Sequence, residues 1–328
     1  MARIVRTDRE LELPGVDAAL RAAGHELVLL PQGVPEDELA LEAANAILLL
    51  MCYTPVTCRV IEAARNLKGI VKYGVGIDAI DIDAARSRGI PVANVPEYAE
   101  ETVAEGAFAL MMALAKNHKK IEKAMSRDGW AWPQPGFLAS DLAGQTVGLV
   151  GRGRIGSAFA RMAGAFGMRV LAFDPHVKGT CADLRGMLAE CDFVSIHCVL
   201  NAETRHLIGE AELRAMKPTA RLVNVSRGAI VDETALLKAL REKRIAGAAL
   251  DVYTQEPLAR EGHPLSAFYA MDNVILSPHL TFYTGEAMAR LEAETLERCQ
   301  EVLDGRPVTV KSRDPRLRAQ TRGVRFSG

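Results

Sequence analysis

Three polar residues in the second half of the chain each follow an apolar run. Arg227 lies in Asn224-Val-Ser-Arg-Gly-Ala-Ile-Val-Asp232, Glu256 in Leu250-Asp-Val-Tyr-Thr-Gln-Glu-Pro257, and His279 in Leu276-Ser-Pro-His-Leu280. An imidazole titrates near neutral pH and can trade a proton with a hydroxyl or carbonyl oxygen. A carboxylate beside it favours the imidazolium. A guanidinium offers a planar fork to a carboxylate and a neighbouring carbonyl. Taken singly, each has an ordinary reading: a surface ion pair, a solvated turn residue, a hydrogen-bonded structural histidine. Together they form the set that oxidation of a 2-hydroxy acid requires, with a nicotinamide carrying the hydride.

A glycine loop makes the nicotinamide concrete. Gly151-Arg-Gly-Arg-Ile-Gly156 follows the apolar run Thr146–Val150 and precedes a helical pattern over Ser157–Phe166. Glycines there let backbone approach a pyrophosphate, and a helix start faces it with free N–H groups. The next strand-like run, Arg169–Phe173, ends on Asp174, about twenty residues past the loop, where a carboxylate accepts hydrogen bonds from a ribose. That carboxylate repels a 2′-phosphate, and Lys178 is the one nearby cation, so NAD is favoured over NADP. A bare glycine motif also serves simply to pack a helix on a sheet; the strand, helix and acid around it make the nucleotide reading.

The elements that must hold these residues alternate along the chain. Arg3–Arg6, Glu26–Leu30, Ala46–Met51, Gly69–Tyr73 and Pro91–Asn94 read as strands, with helical spacing between them. Such alternation predicts an α/β fold of parallel, doubly wound sheets. Further strands are expected at Phe193–His197, Arg221–Val225, Gly247–Asp251 and Val274–Leu276, and a last helix over Glu286–Leu303. That helix has no strand to follow it, so it is expected to return to the first domain. The expected organisation is a flavodoxin-like substrate domain (1–98 and 284–310) into which a Rossmann NAD-binding domain (99–283) is inserted.

Composition sets the remaining bounds. At 328 residues, with 40 basic against 41 acidic side chains, the chain is long enough for two cores and gives no sign of nucleic acid or a membrane surface as partner. Residues 311–328 carry Lys311, Arg313, Arg316, Arg318, Arg322 and Arg325 against one acid, Asp314, and read as a flexible basic tail. Six cysteines show no metal-ligand spacing, so no metal is expected and reduced thiols in the cytoplasm are the simplest account. The N-terminus lacks the apolar core of a signal peptide.

These motifs, in this order, resemble the D-isomer-specific 2-hydroxyacid dehydrogenases. The resemblance runs from about Ala46 to Pro307 and includes Tyr73-Gly-Val-Gly-Ile-Asp78, Asn94-Val-Pro96 and Val103-Ala-Glu105 besides the segments above. It implies that Arg227 holds the substrate carboxylate and carbonyl, that His279 is the acid/base, and that Glu256 orients it. It implies carboxylate contacts from the backbone N–H groups of Val75 and Gly76. Cofactor contacts are implied from Gly151, Gly153, Arg154, Ile155, Gly156, Asp174, Thr204, Val225 and Ser226, with Asp251 on the nicotinamide amide. A homodimer through the 100–136 region is implied as well.

The departures bear on substrate. Where phosphoglycerate-type relatives carry arginines for a phosphate, this chain has Met51-Cys-Tyr-Thr54, so a small non-phosphorylated acid is expected, with Tyr53 in its pocket. Leu280-Thr-Phe-Tyr283 is bulkier than the small residues usual after the histidine; Phe282 and Tyr283 either line the pocket or pack beneath the cofactor. Val199 replaces the usual proline after His197, which reads as a loop residue near the cofactor. Phosphoglycerate-type or hydroxypyruvate/glyoxylate reductase specificity remains the alternative, as does an NAD(H)-sensing corepressor-like binding protein of the same fold.

Overall fold

The protein, described over residues 1–327 by a computed structural model, divides into two compact units. One joins Met1–Ala99 to the C-terminal stretch from Thr284; the other is Glu100–Tyr283.

In the first unit, β1 (Arg3–Arg6), β2 (Glu26–Leu29), β3 (Leu48–Met51), β4 (Gly69–Lys72) and β5 (Val92–Asn94) form one parallel sheet in the order β2-β1-β3-β4-β5. This is the flavodoxin-like order. Every residue of β3 and β4 is buried, as continuous apolar runs such as Leu48-Leu-Leu-Met51 demand of central parallel strands. The helix Gly285–Leu303 begins on a Thr284 cap and packs on β3, β4 and the helix Pro14–Ala22, which returns the end of the chain to its beginning.

The second unit holds β6 (Thr146–Val150), β7 (Arg169–Phe173), β8 (Phe193–Ile196), β9 (Arg221–Asn224), β10 (Gly247–Leu250) and β11 (Val274–Leu276), all parallel, in the order β11-β10-β9-β8-β6-β7. The order reverses at β6, and ligands of open α/β sheets bind beyond the strand ends at such a point. β7 ends this order as an edge strand, and the helix Leu184–Glu190 leads from it to β8 on the other side of β6. The helix Arg154–Ala165 starts three residues before the expected Ser157, drawing Arg154 and Ile155 of the glycine loop into its first turn.

The basic tail departs from expectation. Instead of a flexible end it forms a short helix, Pro315–Arg318, and then β13 (Val324–Phe326), which pairs in parallel with β12 (Val308–Val310) just before the tail. Leu317 is wholly buried, and the Gln320 amide donates to Val92 O at 2.9 Å and accepts from Val92 N at 2.7 Å, completing hydrogen bonds at β5. Its charges sit on local partners: Arg316 on Asp314 at 2.7 Å and Arg325 on the Thr309 hydroxyl at 2.8 Å. Among the described residues no helix is long and apolar enough to cross a membrane, and no group of His, Cys, Asp and Glu is placed to hold a metal.

Candidate active site

The glycine loop is shaped by contacts at its first and third glycines. Gly151 has φ +97°, and a Cβ there would fall 2.5 Å from Cys198 N. A Cβ on Gly156 would fall 2.3 Å from Gly151 O, so the helix is pressed against the turn. Around Gly153 there is open space, and no side chain caps the helix that begins after it. Free first-turn N–H groups beside an open backbone are what a pyrophosphate needs. Asp174, at the end of β7, accepts from Arg152 N at 2.8 Å and from His176 N at 3.0 Å, which ties the loop to the neighbouring strand. The chain's own residues therefore fit a dinucleotide.

The remaining expected cofactor residues divide. Val225 is buried after β9, and Ser226 donates its hydroxyl to Cys198 O. The Arg154 guanidinium lies 3.2 Å from Glu100. The side chains of the other two, Thr204 and Asp251, bond to nearby loop and backbone groups. Thr204 spends its hydroxyl inside its own loop, donating to Val199 O at 2.6 Å and accepting from Asn201 N at 2.8 Å. Asp251, with no exposed surface, gives one carboxylate oxygen to Leu280 N at 2.9 Å and the other to Thr281 N and the Thr281 hydroxyl at 3.1 and 2.6 Å. It anchors the segment that leaves His279. That anchor matters because His279 has φ +60°, a left-handed conformation unusual for any residue with a Cβ.

The imidazole of His279 meets Glu256: Nδ1 and Oε2 are 2.8 Å apart, with the two side chains 20% and 26% exposed. Glu256 is itself held, its Oε1 accepting from Tyr253 N at 2.9 Å. With Glu256 accepting the Nδ1–H, Nε2 is the ring nitrogen whose chemistry is to give or take a proton. Phe282 is buried and packs edge-on to the His279 ring at 6.2 Å, while Tyr283 is half exposed.

Arg227 follows β9 on a turn that Asn224 braces from both sides, its amide donating to Arg227 O at 3.0 Å and accepting from Ser226 N at 3.1 Å. The next residue must be glycine: a Cβ on Gly228 would fall 2.0 Å from Tyr253 C, so this turn rides directly on the strand exit that leads to Glu256. Glu233 joins in by accepting from Thr254 N at 3.0 Å, and burial raises its pKa. Asn224, Tyr253 and Glu233 were not singled out in the sequence. Only Asn224, polar at the end of an apolar strand three residues before Arg227, carried a readable signal.

In the first unit, Val75 and Gly76 follow β4 by three and four residues. The Val75 carbonyl accepts from Asn94 Nδ2 at 2.6 Å, and the N–H groups of Val75 and Gly76 have no hydrogen-bond partner among the described residues. Tyr53 donates its N–H to Asp8 at 3.0 Å and turns its ring to Lys72.

Comparisons with known proteins identify the family to which this fold belongs. The model of the D-isomer specific 2-hydroxyacid dehydrogenase NAD binding domain matches residues 108–281. A glyoxylate reductase of Korarchaeum cryptofilum (strain OPF8) is 43% identical over 255 residues, 74% of this chain and 76% of its own. A D-3-phosphoglycerate dehydrogenase of Synechocystis sp. (strain ATCC 27184 / PCC 6803 / Kazusa) is 40% identical over 268 residues, 79% of this chain; the match spans 47% of that relative's length. The crystal structure of D-lactate dehydrogenase from Aquifex aeolicus, complexed with NAD and lactic acid, superposes with a TM-score of 0.83 at 30% identity, covering 92% of this chain and 96% of that one. The chain belongs to the D-isomer specific 2-hydroxyacid dehydrogenase family. It is an NAD-dependent oxidoreductase acting on the CH–OH group of a 2-hydroxy acid.

Proposed function

We propose that the protein interconverts a small, non-phosphorylated 2-oxo acid and its D-2-hydroxy acid, with His279 as acid/base. The observation that carries this reading is the 2.8 Å bond between His279 Nδ1 and Glu256 Oε2. It fixes the ring and leaves Nε2 as the proton-transferring atom. In reduction Nε2 delivers a proton to the substrate carbonyl oxygen; in oxidation it removes the hydroxyl proton. Glu256 stabilises the imidazolium that forms between turnovers. Arg227 grips the carboxylate and polarises the carbonyl through its planar fork. Val75 and Gly76 of the first unit, the substrate domain in this reading, add backbone donors to the carboxylate, and Tyr53 lines the pocket. NAD, when bound, supplies or accepts the hydride.

Gly151, Gly153, Ile155 and Gly156 hold the pyrophosphate, and Asp174 takes the ribose hydroxyls in preference to a 2′-phosphate. The absence of arginine or lysine in Met51-Cys-Tyr-Thr54 supports a substrate without phosphate. A homodimer through the 100–136 region is supported by Trp130 and Trp132, 62% and 77% exposed, with Ile121 and Met125 nearby in sequence. A cytoplasmic setting accords with six cysteines that form no disulfide among the described residues.

The test is NADH consumption with glyoxylate, hydroxypyruvate, phenylpyruvate, branched 2-oxo acids and phosphohydroxypyruvate. Turnover is expected with unphosphorylated members and NADH rather than NADPH. Tight NADH binding without turnover of any of them would contradict the reading and point to a sensor.

A further inference from the structure

The first unit contains a cation that its loop composition conceals. Lys72 is the last residue of β4, at the strand end where open α/β sheets bind ligands, and only 4% of it is exposed. Its ammonium lies 3.1 Å from Cys52 Sγ and 5.5 Å from the centre of the Tyr53 ring. A thiol is a weak acceptor and a ring face offers only its quadrupole. No carboxylate among the described residues pairs with Lys72. Asp8, which organises the same loop, spends its oxygens on Cys52 N, Tyr53 N, Thr54 N and the hydroxyls of Thr7 and Thr54. Arg6 is matched by Asp17 at 2.9 Å. A buried ammonium so poorly compensated is costly to keep.

What lies beside it gives it a purpose. Gly74 has φ +147°, and a Cβ there would fall 2.8 Å from Lys72 Nζ, so the ammonium sits against the backbone that leads to Val75 and Gly76. The carbonyls of that turn are taken, Gly74 O by Val95 N at 3.1 Å and Val75 O by Asn94 Nδ2. Its two N–H donors, on Val75 and Gly76, are not. Free donors next to an unmatched cation make an anion site, and one anion satisfies all of them.

We propose that Lys72 is a second charged member of the carboxylate pocket, in addition to Arg227: its ammonium binds the substrate carboxylate together with the Val75 and Gly76 N–H groups. It thereby makes the protein select the carboxylate over an ester or amide. This rests on the substrate reading above, which places the carboxylate on those two N–H groups.

The experiment compares wild type, Lys72→Met and Lys72→Arg in two readouts: KM and kcat for the best 2-oxo acid, and the Kd of oxamate for the protein–NADH complex by fluorescence. Lys72→Met is expected to raise both KM and the oxamate Kd about tenfold or more, with a much smaller change in kcat. NADH affinity should stay at the wild-type value, and Lys72→Arg should recover most of the loss. Wild-type KM and oxamate affinity in a folded Lys72→Met would overturn the assignment. If that variant does not fold, a crystal structure of the wild type with NADH and oxamate decides, since an oxamate carboxylate out of hydrogen-bond reach of Nζ would equally overturn it. Failure of the wild type to turn over any 2-oxo acid or bind oxamate would instead sink the functional reading beneath it.

Discussion

His197 and His279 both follow parallel strands of the same sheet, β8 and β11, yet their surroundings differ in every respect that governs proton transfer. His197 lies under the glycine loop, its Nε2 2.9 Å from the Ser195 hydroxyl and its ring 5.2 Å from Phe159. Its Nδ1 is buried with no hydrogen-bond partner among the described residues, and burial pulls its pKa down to about 3. That ring stays neutral at any working pH. His279 has a carboxylate on Nδ1 and a fifth of its side chain open to solvent. A strand-end histidine becomes an acid/base only when a charged partner stabilises its cation and one nitrogen remains reachable.

The comparison can be broken at several points. Glu256→Gln removes the charge that distinguishes His279 while keeping one acceptor, and should lower kcat by about ten- to a hundred-fold with NADH affinity intact. Steady-state kinetics beside NADH fluorescence would check it; wild-type kcat would mean that the carboxylate serves the loop alone. Asp174→Ala should weaken NADH by about tenfold and erode discrimination against NADPH, because the ribose acceptor and the anchor on Arg152 N go together. Measured Kd values for both cofactors decide that, and an unchanged ratio would refute the assignment.

The smallest expected effect concerns His197 and stability. Its folded value, about 3, lies below the ordinary 6.5 of the unfolded chain. Above 6.5 both states are neutral there; as pH falls from 6.5 toward 3 only the unfolded chain gains the proton, so stability is lost across that window. His197→Phe should therefore narrow the gap in Tm between pH 7 and pH 4 and leave kcat near wild type. An unchanged gap would show that the ring is not held neutral by burial.

Much of this was legible in the sequence, for identifiable reasons. The glycine loop, Asp174 and the Arg227, Glu256 and His279 segments announce themselves because each polar residue interrupts or ends an apolar run. The bond between Glu256 and His279 spans 23 residues and depends on β10 and β11 being neighbours, which no local pattern contains. The bonds that Asp251 makes to Leu280 N and Thr281 N join segments about thirty residues apart, which a linear reading cannot see. The tail misled for the opposite reason: its charge dominates composition, whereas two uncharged residues, Leu317 and Gln320, pin it down. Lys72 hid at the end of an apolar strand, where a lysine ordinarily marks an exit to solvent.

The most direct test sets the two histidines side by side. NADH oxidation with one accepted 2-oxo acid would be measured for wild type, His279→Ala and His197→Phe, with NADH binding recorded on the same samples. The account predicts that all three bind NADH, that His197→Phe turns over near the wild-type rate, and that His279→Ala falls by about a thousand-fold or more. Near-normal turnover by His279→Ala, or collapse of His197→Phe alone, would contradict it.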